Sequence, residues 1–324
     1  MKKDGLETDR LFYLVFCFFL FLRFLIHSNQ RFVVMEKLKS SRTWSFTVIA
    51  LAYVLAFFVG VLAYRLAENA GWHYLLGILA ADVAATVVVW LFGLLFRNVS
   101  VYDPYWSVAP PLIFTAWTCH TGHWAPGTTL LLIVVWLWAI RLTGNWAYTF
   151  RNLGVEDWRY AKYRAEKSPA VFQLINFFGL NLMPTVVVFL AMIPGFFAIE
   201  AELSSGKLPV FAFMVCLAAV VIQALADAQR HRFGREHPGK VCDVGLWKYG
   251  RHPNYYGEIM MWAGVFLFYL PACANGKSVR DLCIVGMLLI ICLFRFISVP
   301  LMEKRQLQNK PEYKEYREKT RMFL

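Results

Sequence analysis

The stretch from Tyr249 to Gly264 reads YGRHPNYYGEIMMWAG, and it brings Arg251, His252, Asn254, Tyr255 and Glu258 to the threshold of an apolar run. A guanidinium binds anions, an imidazole carries protons, and a carboxylate four residues after an amide shares its helix face. Proline is favoured at the first helical position, so Pro253 is expected to open a helix. Arg251 and His252 would then stand at its mouth, beside free backbone N–H groups and the positive end of the dipole, where an anion is stabilised. Glu258 would lie about one and a half turns inside. An acid at that depth is costly unless it is paired or functional. A plainer reading is a helix cap with an interfacial glutamate held by an arginine.

Just upstream, QALADAQRHRFGREHPGKVCDVGLWKYG places Gln223, Asp227 and His231 four residues apart, one polar stripe at the end of an apolar run. Arg230, Arg232, Arg235 and Lys240 surround the stripe, glycines and Pro238 end the helix, and Trp247 and Tyr249 offer aromatic faces. Two helix ends joined by such a basic, aromatic loop make a candidate nucleotide pocket, expected to be one cationic socket shared with Arg251 and Glu258. A solvated collar at a membrane boundary is the alternative. A third cluster, SVYDPYWS, holds Tyr102, Asp103 and Tyr105; Asp103 is either the cap of the following helix or a proton relay with Tyr105. Asp82 is the deepest acid, with Arg141 or Arg295 as conceivable partners. GVEDWRYAKYR alternates charge over a helical stretch, and the tail PLMEKRQLQNKPEYKEYREKT either is a simple charged end or folds back as a lid. His120 and His123 form an H-x-x-H without a third ligand, so no metal is expected.

These groups need elements to hold them. The chain has 324 residues, 59% hydrophobic and only 17% charged, against about 25% charged in a soluble domain. The expected class is all-α: a polytopic helical membrane protein of about eight transmembrane helices with a cytoplasm-facing C-terminal pocket. The apolar runs are Phe46–Tyr64, Tyr74–Phe96, Tyr105–Cys119, Thr128–Leu142, Val171–Ile199, Leu208–Ala226, Asn254–Leu270 and Leu282–Leu301. The third and fourth are short. The fifth carries Pro184 and Pro194 and is expected to be kinked or broken. Basic loops alternate with sparsely basic ones, so both ends are expected in the cytoplasm of a multi-pass protein, read as one of a bacterial inner membrane. This bias accounts for most of the net charge of +12, and nucleic acid is not an expected partner.

Residues 1–45 read as an N-terminal extension. LFYLVFCFFLFLRFLI is a signal anchor, a ninth helix or part of a misassigned start, with Met35 opening MEKLKSSR. Residues 46–324 read as a single helical membrane domain whose cofactor-binding part covers about 210–324. Seven cysteines without a C-x-x-C are expected to be reduced thiols. No G-x-G-x-x-G, Walker A or H-E-x-x-H occurs, so neither a Rossmann nor a P-loop domain is expected.

GLWKYGRHPNYYGEIMMWAG, with ADAQRHRF, EDWRY, YDPYWS and the PLMEKR…Y tail, closely resembles bacterial membrane proteins related to steroid 5-alpha-reductases. The resemblance runs from about Asp82 to Tyr316, and R-H-P-N-Y-x-G-E is its most specific part. That superfamily also holds sterol C14 reductases and isoprenylcysteine carboxyl methyltransferases. The resemblance implies a helical membrane fold with a cofactor pocket toward the C-terminal half, filled by NADPH in the reductases and by S-adenosylmethionine in the methyltransferases. It implies that Arg251, His252, Asn254, Tyr255 and Glu258 belong to the cofactor-site motif, flanked by Asp227 and Gln229.

The resulting expectation is an NADPH-dependent reductase of an activated carbon–carbon double bond in a steroid-like or other lipid, embedded among membrane lipids. Asp103 and Tyr105 are the expected catalytic residues, with Asp82 and Tyr102 as the other acid and phenol. Asp227, Arg230, His231, Trp247, Tyr249, Arg251, His252, Asn254, Tyr255 and Glu258 are the expected cofactor contacts. Methyl transfer from S-adenosylmethionine to a lipid or thiol is the alternative, and a non-catalytic sterol- or lipid-binding protein is a third.

Overall fold

The computed structural model describes residues 36, 39–204, 206–273 and 280–324; the side chains of 272, 273 and 280–282 are not described. The expected N-terminal extension lies, up to residue 35, outside the described residues. The remainder is helical, and among the described residues the lone extended pairing is a parallel bridge between Gly250 and Arg321.

The helices are α1 (Arg42–Asn69), α2 (Tyr74–Phe96), α3 (Tyr105–Thr121), α4 (Pro126–Thr149), α5 (Trp158–Glu166), α6 (Pro169–Glu200), α7 (Lys207–Glu236), α8 (Pro253–Cys273), α9 (Cys283–Asn309) and α10 (Tyr313–Lys319). All eight apolar runs lie in helices. Among the described residues six helices, α1, α2, α4, α6, α7 and α9, are long and apolar enough to cross a membrane, so the protein is an all-α polytopic membrane protein. Two of the eight expected runs, in α3 and α8, do not meet this measure. Helix α3 has 17 residues, short of a full crossing, and α8 carries Asn254 and Glu258 in its first two turns.

The chain forms two compact units. The first holds the described residues up to Trp106 together with Thr149–Val186; the second holds Ser107–Tyr148 and Val187–Leu324. In the first, α1 buries the stripe Ser45, Ile49, Ala52, Ala56 and Gly60, while Leu51, Val54, Phe58 and Val61 stay exposed. Small residues let helix backbones approach where lipid supplies no hydrophobic drive. A β-carbon on Gly60 would stand 3.2 Å from the Ala81 carbonyl oxygen on α2. In the second unit, α7 and α8 meet the same way: Gly257 lies against Gln223 and the Ala219 carbonyl, and Gly264 lies against Cys216.

The expected break at Pro184 is a π turn instead. Residues Ile175–Leu182 are π-helical, and α-helix resumes at Met183. Proline lacks an N–H and collides with the carbonyl four residues back, and the wider turn relieves both. Helix α9 repeats the device: Leu293–Ser298 is π-helical just before Pro300. This second turn contains Arg295.

Substituting Gly264→Leu would force a branched side chain into Cys216 and the α7 backbone. Thermal unfolding in detergent should show a loss of about 1–3 kcal/mol, the usual cost of overpacking. A neutral result would mean that α7 and α8 do not meet at this glycine.

Candidate functional site

In the second unit, the chain leaves α7 and returns as a loop fastened to it. Gly245 takes a left-handed φ of 58° and packs on Gln229, whose Oε1 accepts from the Leu246 amide at 2.9 Å. Trp247 is buried; its Nε1 donates to the Ala226 carbonyl at 2.9 Å, and the Arg230 guanidinium lies 5.3 Å above its ring. Tyr249 stays 66% exposed. Pro253 then opens α8, as its type requires.

The mouth of α8 differs from the expected anion cradle. The amides of Arg251 and His252 are not free: they donate to the carbonyls of Arg321 (2.8 Å) and Met322 (3.1 Å) in the C-terminal tail. The Arg251 side chain is buried and turns the same way. Its Nε pairs with Glu303 Oε1 at 2.8 Å, and its Nη1 donates to the carbonyls of Arg317 (3.0 Å) and Thr320. His252 Nε2 stands 3.2 Å from the same Glu303 oxygen, and Arg317 Nε lies 3.2 Å from the other. Burial pulls the His252 imidazole pKa below its ordinary value, against the pull of Glu303. Tyr255 is stacked between His252 (5.4 Å, 6°) and Phe294 on α9 (4.7 Å, 4°). Asn254 is half-buried in the first turn of α8.

Glu258 belongs to a second network. Its Oε2 accepts from Trp138 Nε1 and Gln223 Nε2, both at 3.0 Å, and its Oε1 accepts from Trp262 Nε1 at 2.9 Å. Arg141 on α4 lies 3.9 Å from Glu258, pairs with Asp227 at 3.0 Å and donates to Gln223 Oε1. His231 meets Asn145 at 2.8 Å. The single socket expected between Arg251 and Glu258 is therefore two polar networks with no residue in common. Within its own unit Arg141 pairs with Asp227.

Beside the first network lies a cleft of about 470 Å³, lined by Arg295, Val299, Pro300, Glu303, Lys304, Leu307 and Gln308 of α9 and by Arg317 and Met322 of the tail. Three cations and four apolar residues share its walls. A volume of this size suits a small-molecule or cofactor site. Of the ten expected cofactor contacts, none lines the cleft itself; Arg251 and His252 reach it through Glu303. The sequence reading missed Arg295, Lys304 and Arg317 as a group. Their signal was the four-residue spacing of Arg295, Val299, Glu303 and Leu307 along one helix face, with Lys304 beside it.

In the first unit, Tyr105 and Asp103 go to different partners. The Tyr105 hydroxyl donates to Asp82 Oδ1 at 2.7 Å, whereas Asp103 accepts from the Tyr160 hydroxyl at 2.5 Å. Tyr102 shares a hydrogen bond with Thr185 at 2.7 Å, and Thr185 shares another with Thr86 at 2.8 Å. Burial pushes the Asp103 carboxyl up to about 6, although Arg159 and Tyr160 pull it down. The EDWRY segment is more than a solvated helix. Asp157 caps α5, Glu156 forks onto Arg164 (2.7 and 2.9 Å), and Glu156 accepts from the Val99 amide at 3.0 Å. In the second unit, His123 of the H-x-x-H lies 4.0 Å from Glu200 and 3.7 Å from Glu202.

Residues 89–320 match the profile of a family described as "Protein of unknown function (DUF1295)". The chain belongs to that family. The membership accords with the steroid 5-alpha-reductase-like motifs, without naming a substrate or cofactor. The uncharacterized protein C594.04c of Schizosaccharomyces pombe is 25% identical over 284 residues, 78% of this chain and 79% of that protein. No solved structure matches the chain.

Replacing Arg141 with Met would leave Asp227 and Glu258 without their shared guanidinium. Breaking a buried ion pair on one side costs about 3–5 kcal/mol, so the variant should unfold at a clearly lower temperature. Asp227→Asn should recover part of that loss, and a double-mutant cycle without coupling would refute the network.

Proposed function

We propose that the protein is a membrane-embedded, NADPH-dependent reductase of an activated carbon–carbon double bond in a steroid-like or other lipid. The observation that carries this reading is the cleft: Arg295, Lys304 and Arg317 beside Val299, Pro300, Leu307 and Met322. Guanidinium and ammonium groups suit phosphates, and the aliphatic wall suits the flat faces of a dinucleotide. S-adenosylmethionine carries no phosphate and bears a positive sulfonium, so a cationic lining works against it. These features fit NADPH, which would be held by Arg295, Lys304 and Arg317. When bound, it supplies hydride for the β-carbon of an enone.

The motif residues stand behind that lining. Glu303, Arg251 and His252 order the cleft's inner edge, and the stack of Tyr255 on His252 and Phe294 stiffens the start of α8. Trp247 and Arg230 hold the loop that leads there. Asp227, His231 and Glu258 act with Arg141 and Gln223 to fix α7 and α8 in register. Asn254 and the exposed Tyr249 remain proposed contacts for the ligand's outer parts.

Within the first unit, two acid–phenol pairs are the proposed proton-handling groups. Tyr105, tied to Asp82, is the proposed polarising phenol, and Asp103, tied to Tyr160, is the proposed proton source. The lipid substrate would enter from the bilayer. The basic loops and the tail are read as cytoplasmic, where NADPH is available.

Purified protein titrated with NADPH should enhance nicotinamide fluorescence. Arg317→Ala and Lys304→Ala should each weaken binding about tenfold or more, the range for a hydrogen bond to a charged group. Binding of S-adenosylmethionine with no response to NADPH would reject the reductase reading. A carboxyl raised to about 6 is protonated below that pH and loses its proton above it. Turnover that depends on Asp103 as an acid should therefore fall as pH rises through about 6. Asp103→Asn should remove that limb and leave NADPH affinity unchanged; an unaltered pH profile would exclude Asp103 from the chemistry.

A further inference from the structure

The cleft is built from two separate stretches of chain, α9 and the residues after it, and a set of polar contacts fastens the second stretch. Arg317 and Met322, from the tail, line it together with α9 residues. The tail's path is fixed at its backbone: the Arg317 and Thr320 carbonyls accept from the Arg251 guanidinium, and the Arg321 and Met322 carbonyls accept from the Arg251 and His252 amides. The Tyr316 hydroxyl adds a bond to the Trp247 carbonyl at 2.5 Å. Glu303 is 4% exposed and spends both oxygens here, one on Arg251 and His252 and the other on Arg317.

We propose that Arg251 and Glu303 are positioning residues: they clasp the C-terminal tail against α8 and α9 so that Arg317 completes the cleft, and ligand affinity depends on the clasp. This rests on reading the cleft as the ligand site. Arg251 then contributes to binding without meeting the ligand, because its donors go to Glu303 and to tail carbonyls. Glu303 serves as the shared counter-charge. It keeps the buried Arg251 neutralised and turns Arg317, half in solvent, toward the cleft. A tail released from the clasp takes Arg317 and Met322 with it and leaves α9 with one open side.

Gly250 offers a way to displace the tail without altering a charge. A β-carbon there would stand 3.0 Å from the Leu324 amide nitrogen and 3.0 Å from the Phe323 carbonyl carbon. A larger side chain must push the tail away, since the atoms it meets are backbone.

The test uses the full chain in detergent micelles, with two readouts. Trypsin cleavage after Arg317, Lys319 and Arg321, followed by mass spectrometry, reports tail release. NADPH fluorescence reports the cleft. Glu303→Gln and Gly250→Val should both speed tail cleavage and weaken NADPH by about tenfold, within the range usual for coupled sites. Glu303→Asp should restore part of both, which a mere loss of fold would not do. Release of the tail in both variants with NADPH affinity unchanged would overturn the tail's part in the site. A tail that stays protected in Glu303→Gln would overturn the clasp. If the unaltered protein binds no NADPH, the reductase reading fails, and the cleavage readout still decides the clasp.

Discussion

A carboxylate placed among apolar helices must find its donors inside the protein, and this requirement orders the second unit. Water would ordinarily solvate the charge, and losing it costs several kcal/mol per ion. Glu258 answers with two indole N–H groups, an amide and the edge of a guanidinium. Those donors come from α4, α7 and α8, so satisfying one acid fixes three helices. Glu303 answers the same demand on α9 with Arg251, His252 and Arg317. Each acid is a junction, and the helices it joins cannot slide without stranding a buried charge.

The junctions also explain the glycines. Glu258 reaches Gln223 because Gly257, its neighbour, lets α8 press against α7 at that level. Arg295, Val299, Glu303 and Leu307 follow one another at intervals of four, so they run along one helix face of the cleft.

Much of this was legible in the sequence. The apolar runs, the opening of α8 at Pro253 and the polar stripe of Gln223, Asp227 and His231 follow from composition and spacing, which are local properties. The partners of the polar groups were not legible. Spacing puts Gln223 and Asp227 on one face, but it is silent about which helix brings Arg141 to them. Asp82 and Tyr105 are 23 residues apart and belong to different helices, so their pairing depends on helix packing. Apolar residues run all round helices such as α2, so no polar face betrays the neighbour. The helix mouth was misjudged for a related reason. Free amides were the sound expectation for an isolated helix start, and the tail that occupies them arrives from about seventy residues further along.

The sign of the charge in the cleft carries the last step. Glu303 is already shared among Arg251, His252 and Arg317, so it has little left to offset other cations. Arg295 and Lys304 form no ion pair among the described residues, and both are exposed. Two exposed cations without a protein counter-charge are available to counter-ions or to an anionic ligand. A membrane helix that simply needed to end could have placed its basic residues outward, toward headgroups. Here both line a cleft with an aliphatic wall while remaining open to solvent. Such a lining suits a ligand that is both anionic and partly apolar, and the proposed dinucleotide rests on that match.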